Sequence, residues 1–320
     1  MSSSRVFVTG ANGFVGSAVM RRLLSDGRLT AVGGVRDLTR CLYPCEYVVF
    51  DLGVGISVAA LKGVDTVVHA AARVHVMDDR GADNLNSFRA SNVDGTVRLA
   101  LSAAQAGVKR FVFISSIKVN GEGTLPGKPY TSFDLPAPVD AYGLSKFEAE
   151  DALRELGVRT GMEIVIIRPP LVYGPGVKAN FLSMLRWVDR GVPLPFGSIA
   201  NRRSMVALDN LTDLIDHCID HPNAPGNVFL VSDGEDLSTT QLLRRVAHSL
   251  SVRPRLIPVP QKILSMGLAA LGKQALATRL CGSLQVDMHR TCDLLGWRPP
   301  VSVESALADV AKHYLETKKE

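Results

Sequence analysis

No apolar run in this 320-residue chain approaches the length that crosses a bilayer, about 20 residues. The longest candidate, residues 263–271, is broken by Ser265 and Gly267, so it is expected to pack against the protein rather than against lipid. Cysteine is scarce. The five present, Cys41, Cys45, Cys218, Cys281 and Cys292, are odd in number and suggest no disulfide framework. Cys41 and Cys45 have no matching second Cys/His pair, which argues against a zinc site, so no metal is expected and reduced cytosolic thiols are the plain reading. Met1-Ser-Ser-Ser followed by Arg5 has neither the apolar core of a secretory leader nor the arginine pattern of a transit peptide. Clusters of one charge are missing as well. Lys and Arg are scattered, so no nucleic-acid stripe is expected, although the net charge of +5 suits an anionic substrate. There is no internal repeat and no low-complexity segment, which excludes a solenoid.

What is there is an ordinary globular composition, 46% hydrophobic and 21% charged, long enough for two domains. Short apolar runs at 5–9, 29–35, 47–50, 66–69, 110–114 and 163–167 read as buried strands. Helical patterns fall between several of them, at 17–24, 84–106 and 141–156, ended by glycines. Strands alternating with helices predict an α/β protein with a doubly wound parallel Rossmann sheet. After Arg168-Pro169-Pro170 glycine and proline become frequent and elements shorten. Residues 1–172 are therefore expected to form the nucleotide-binding domain. Residues 173–320 are expected to form mainly a smaller, irregular α/β substrate domain, with later segments returning to the first sheet.

Two stretches carry the chemistry. Gly10-Ala-Asn12-Gly13-Phe14-Val15-Gly16 follows a strand and opens a helix. Glycines at that turn let the backbone approach a pyrophosphate at the helix N-terminus, so a dinucleotide is predicted. Tyr142-Gly-Leu-Ser-Lys146 puts a phenol and an ammonium four residues apart, on one helix face. The ammonium is expected to favour the phenolate, so that the phenol can exchange a proton with an alcohol oxygen near neutral pH. Ser115 and Ser116 end the fifth strand, at the carboxyl edge where ligands bind such sheets. A hydroxyl there completes a Ser–Tyr–Lys set. Arg36 follows the second strand, where ribose selectivity is decided. An arginine there suits a 2′-phosphate, with Arg40 as a second cation, although Asp37 mixes the sign. NADP(H) is the preferred cofactor on this ground, with NAD(H) left open. Asp51, after the third strand, is either an acceptor for the adenine amino group or a solvated loop aspartate. His69 by itself reads as a satisfied core histidine. Arg202 and Arg203 suit a diphosphate or a plain surface pair.

With Asn92-Val-Asp-Gly95-Thr96, Asp51-Leu52, His69-Ala70-Ala71, Val172-Tyr-Gly-Pro175, Arg203-Ser-Met-Val206 and Leu295-Gly-Trp-Arg-Pro299 added, the chain resembles the extended short-chain dehydrogenases/reductases of the nucleotide-sugar epimerase/dehydratase type over nearly its whole length. The resemblance implies Ser116, Tyr142 and Lys146 as catalytic groups. It implies Asn92, Ala70, Ala71, Leu52 and Pro169 along the cofactor, and Asn180 and Arg203 at the nucleotide diphosphate of a UDP-sugar. It also implies a cytoplasmic homodimer. Dehydratases of this type carry an Asp-Glu pair where Ile117 and Lys118 stand, so dehydration is not expected. Asn120 and Leu171 replace the usual Tyr and Asn of the sugar pocket. The strings around Ser115 and Arg168 resemble a narrower group from O-antigen (lipopolysaccharide) gene clusters. The main expectation is therefore an NADPH-dependent C4-ketoreductase of a UDP-4-keto-6-deoxy-N-acetylhexosamine, giving UDP-N-acetylfucosamine or UDP-N-acetylquinovosamine. The alternative is a C4-epimerase of UDP-glucose or UDP-N-acetylglucosamine with bound NAD. A non-catalytic cofactor sensor is the third reading.

Overall fold

The computed structural model describes residues 4–74, 83–125, 127–272 and 274–318. In chain order the strands and main helices run β1 (Arg5–Thr9), α1 (Phe14–Asp26), β2 (Thr30–Val35), β3 (Glu46–Val49), β4 (Thr66–His69), α2 (Asp83–Phe88), α3 (Gly95–Gln105), β5 (Arg110–Ile114), α4 (Ala141–Thr160), β6 (Glu163–Arg168), β7 (Leu171–Tyr173), α5 (Ala179–Asp189), β8 (Arg203–Ala207), α6 (Leu208–Asp220), β9 (Val228–Leu230), β10 (Asp236–Leu237), α7 (Thr239–Ser249), α8 (Gln261–Ala270), α9 (Gln274–Cys281), α10 (His289–Leu295) and α11 (Val303–Thr317).

Seven strands form one parallel sheet in the order β3-β2-β1-β4-β5-β6-β9. The inner strands are apolar on both faces because helices cover both: Val6, Phe7 and Val8 of β1 are fully buried, as are Phe111, Val112 and Phe113 of β5. One covering layer holds α1 and α6, and the other α3 and α4. The winding reverses between β1 and β4, so the carboxyl ends of those strands, at Thr9 and His69, open the crevice where ligands of such sheets bind. A second sheet, β10-β8-β7, packs with α5, α7 and α11 around its own core.

The later half returns to the first sheet in two places. β9 pairs with β6, and α6 lies on α1, where Arg22 binds Asp213 at 2.5 Å and Asp216 at 3.1 Å. Trp297 of the Leu-Gly-Trp-Arg-Pro stretch donates its indole N–H to Asp213 at 2.7 Å and so ties the C-terminal segment to the same helix.

Two expectations are corrected. The helix read across 84–106 is two helices joined by a π-helical turn, Arg89–Asp94, a form that concentrates at functional sites. The helix carrying Tyr142 does not stop at Gly157 but at Gly161, which takes the left-handed φ of +76°. Gly157 is there for close packing: a Cβ on it would sit 2.7 Å from Ile164 Cγ1. Residues 263–270 lie in α8, which packs on α9 with Leu264 and Leu268 half-buried and none of its residues fully buried. Among the described residues no helix is long and apolar enough to cross a membrane.

Candidate active site

The turn after β1 is held tightly. Gly10 has φ +66° and lies on the chain that follows β4, so that a Cβ there would meet Ala71 Cα at 3.1 Å. A Cβ on Gly16 would stand 2.1 Å from the Gly10 carbonyl oxygen, an impossible approach, so the helix can start only with glycine at that position. Gly13 is the N-cap of α1 and offers no side chain to its free N–H groups. The first turn, opened by Phe14 and Val15, carries no acidic residue. An uncapped 13-residue helix aimed at the crevice between β1 and β4 fits a pyrophosphate, through amide donors and the positive end of the helix dipole. Ala71 N–H donates to Thr9 Oγ1 at 3.1 Å, fixing the Ala70-Ala71 backbone against the turn. Asn12 is exposed and donates its amide to the Arg40 carbonyl at 2.7 Å.

His69 confirms the bland reading. Its ring bonds Thr9 Oγ1 at 2.7 Å and Thr96 Oγ1 at 3.0 Å, and complete burial pushes its pKa down to about 3, so it is neutral. Arg36 lies just beyond β2, exposed and without an ion pair among the described residues. Arg40 instead sits beside Asp37 at 3.6 Å, and Asp37 caps the following turn through Thr39, whose hydroxyl and amide hold that carboxyl below the usual range. Asp51 accepts from Gly53 N–H at 2.7 Å, and Leu52 lies under Gly95.

Helix α4 brings the catalytic candidates together. Asp140 caps it, accepting from Gly143 N–H at 2.7 Å. Tyr142, Lys146 and Glu150 then follow at intervals of four and share one face. Lys146 is buried with its ammonium 4.2 Å from the Phe113 ring centroid, and the Phe88 ring meets Tyr142 edge-on at 6.0 Å. Burial pulls Lys146 down to about 7, against the Glu150 carboxylate, which holds it up. The Tyr142 phenol is raised by burial first and by the Asp140 carboxylate second. Desolvation thus outweighs the lowering expected from the ammonium.

Ser116 heads a short 3-10 turn, Ile117–Val119, and accepts from Lys118 N–H at 3.2 Å. The adjoining Ile117 N–H donates to the Pro169 carbonyl at 3.0 Å, so Ser116 and buried Pro169 are neighbours at the sheet edge. Asn92, in the π-helical turn, donates to Ser145 Oγ at 3.1 Å, one residue before Lys146, and brackets the Arg73 backbone through 2.8 and 3.1 Å bonds. Ser115 points elsewhere: its hydroxyl donates to Glu150 at 2.5 Å, so only its backbone faces the crevice. Arg203 opens β8 and donates to the Gly282 carbonyl at 3.1 Å, with its pKa lowered by burial and by Arg279. Asn180 is exposed at the start of α5, directly after Ala179, which holds a left-handed φ of +52°. None of these bonds joins Asn180 to Arg203.

Two sets of residues escaped the sequence reading. Glu150 is fully buried and binds Arg168 through bonds of 2.9 and 2.6 Å, while Arg168 donates to Asn120 at 2.9 Å. The spacing Lys146 to Glu150 was the available signal, and the partner could not be found without the fold. Lys118 pairs with Asp140 and lies 3.6 Å from Glu122, so the residue in the place of a dehydratase acid clamps the N-terminus of α4. Among the described residues no group of three His, Cys, Asp or Glu could hold a metal ion.

A glycine turn at the switch point of a doubly wound sheet, with Ser116 at the carboxyl edge and Tyr142 and Lys146 on one face of α4, has the parts of a dinucleotide-dependent enzyme. The NAD dependent epimerase/dehydratase family model matches residues 6–232, and the chain belongs to that family. It is 46% identical over 313 residues to a UDP-glucose 4-epimerase of Vibrio cholerae, covering 97% of this chain and 95% of that protein. The fold matches UDP-glucose 4-epimerase of Thermotoga maritima, solved with UDP-glucose, at a TM-score of 0.77 and 20% identity, covering 98% and 99% of the two chains. It also matches UDP-glucuronic acid 4-epimerase of Bacillus cereus, solved with NAD, at a TM-score of 0.78 and 19% identity, with the same coverage.

Proposed function

We propose that the chain is a UDP-sugar 4-epimerase with NAD held at the glycine turn, and that UDP-glucose and UDP-galactose are its first candidate substrates. The observation that carries this reading is the 46% identity to a UDP-glucose 4-epimerase across nearly the full length of both proteins. It moves the epimerase ahead of the ketoreductase that the sequence favoured.

In this reading the nicotinamide, when bound, accepts and returns the hydride of the sugar C4. Tyr142 takes the proton of the C4 hydroxyl during oxidation and gives it back during reduction. Ser116 donates to the same oxygen and fixes its position, and Lys146 steadies the phenolate by its charge. Gly10, Gly13 and Gly16 admit the pyrophosphate. Asn12, Asp51, Leu52, Ala70, Ala71, Asn92, Pro169 and the Ser115 backbone are the proposed neighbours of the cofactor, and Asn180 and Arg203 those of the substrate diphosphate. Ile117 and Lys118 supply no acid/base pair, so elimination of water is not part of the cycle. A homodimer and a division near residue 172 complete the proposal.

One observation favours the ketoreductase as a second reading: exposed, unpaired Arg36 suits the 2′-phosphate of NADPH. A single comparison separates the two. Protein incubated with UDP-glucose alone should form UDP-galactose, read by NMR, with no net absorbance change at the nicotinamide band, and should release NAD on denaturation. No interconversion, with NADPH consumed in proportion to added UDP-4-keto-6-deoxy-N-acetylhexosamine, would replace the first reading by the second.

A further inference from the structure

Helices α8 and α9 pack on each other as a hairpin, and α8 buries none of its residues. The two ends of the hairpin are tied together by Gln261, which donates to the Cys281 carbonyl at 2.9 Å, and its foot lies at Gly282, the residue that Arg203 holds. The outer face of α8 is apolar. Ile263, Met266, Gly267 and Ala270 follow at helical spacing and are all exposed, Ile263 to 61% and Met266 to 72%. Leu271, at the tip, is 72% exposed.

The segment that carries this face has charge of one sign. From residue 237 to residue 286 the chain contains no aspartate or glutamate, and every charged side chain is Lys or Arg. Arg253 and Arg255, in the segment that leads into the hairpin, and Lys262, in its first turn, are exposed and form no ion pair among the described residues. An exposed apolar helix flanked only by cations has the composition of an interfacial helix that lies in the headgroup layer of an anionic bilayer.

We propose that the α8–α9 hairpin docks the enzyme on the surface of an anionic membrane, with Ile263, Met266 and Leu271 entering the headgroup–acyl boundary and Arg253, Arg255 and Lys262 meeting the lipid phosphates. Charge decides between this occupant and a second copy of the chain. Two hairpins packed face to face would bring like charges together with no acid to offset them, whereas anionic headgroups neutralise all three. The docking is peripheral, because α8 has only ten residues. It would set the Arg203 side of the crevice close to the lipid.

The test is sedimentation of the full chain with vesicles of phosphatidylcholine alone and of phosphatidylcholine with an equal part of phosphatidylglycerol. The chain should bind the second and not the first, and less tightly as salt is raised. Arg253→Ser with Arg255→Ser should weaken binding about 25-fold, at roughly fivefold per cation. Ile263→Glu with Met266→Glu should abolish it while thermal unfolding stays unchanged, since both side chains are exposed. If the glutamate pair perturbs folding, the serine pair alone decides. Failure of the wild type to bind the anionic vesicles, or binding that neither pair weakens, overturns the proposal. So does self-association in sedimentation equilibrium that the glutamate pair removes, with no vesicle binding.

Discussion

Tyr142 carries a desolvated phenol, and its replacement by Phe removes only the hydroxyl while leaving the ring against Phe88 and the Lys146 ammonium in place. Turnover should fall by roughly 10²- to 10⁴-fold, the usual share of general acid–base catalysis. Cofactor retention should stay near the wild-type level, and a variant keeping more than a tenth of its kcat would remove Tyr142 from the proton-transfer role. His69 makes a different prediction. Its folded pKa, about 3, lies below the unfolded value of about 6.5. The stability it contributes is therefore present above pH 6.5 and is lost as pH falls toward 3. At pH 5 the loss from this one group is about 2 kcal/mol. Urea unfolding of wild type and His69→Asn at pH 7.5 and pH 5 should show the smaller decline in the variant. Equal slopes would mean that the imidazole is not held neutral.

Helix α4 unites positions that the sequence revealed singly. The Tyr–Lys spacing was readable because helical geometry alone puts the two on one face, and the glycine turn was readable because no other residue fits Gly16 against the Gly10 carbonyl. Glu150 was not readable, because its meaning depends on Arg168 and Ser115, which only the sheet brings near. The stop assigned to Gly157 failed for a related reason: a glycine required by tertiary packing looks the same in sequence as one required by a left-handed turn. Asp140 gives this element its own prediction. Asp140→Asn keeps an acceptor for Gly143 N–H but removes the negative charge that helps raise Tyr142. The acid limb of the pH–rate profile, which reports the phenolate that accepts the C4 hydroxyl proton, should then move to lower pH. Asp140→Ala should also cost about 1 kcal/mol of stability through the lost cap. An Asn variant whose profile does not move would show that Lys118 already neutralises the carboxylate.

At the scale of the whole molecule, filling the crevice at the carboxyl ends of β1 and β4 should stabilise the fold. NAD at about 100 times its dissociation constant should raise the unfolding free energy by about 2.7 kcal/mol. Gly16→Ala, whose Cβ has no room beside Gly10, should lose that gain. If NAD is the resident cofactor, NADPH at the same concentration should give the smaller increment, and Arg36→Ala should reduce the NADPH increment alone. A larger gain from NADPH in the wild type would favour the reductase. The parallel sheet and its helices were legible from the run of buried strands. The return of β9 was not, since a three-residue strand far along the chain carries no periodic signal of its own.

That return has a consequence for synthesis on the ribosome. β6 ends at Arg168, but its neighbour β9 is complete only at Leu230. At 5–20 residues per second the nascent chain therefore shows an open, apolar strand edge for roughly 3 to 12 s, since 62 residues separate the two. An unpaired edge of that kind is a template for pairing with other chains. Crowded ribosomes, slow codons between residues 168 and 230, or loss of a chaperone that shields nascent edges would thus lower the yield of this protein without touching its finished structure.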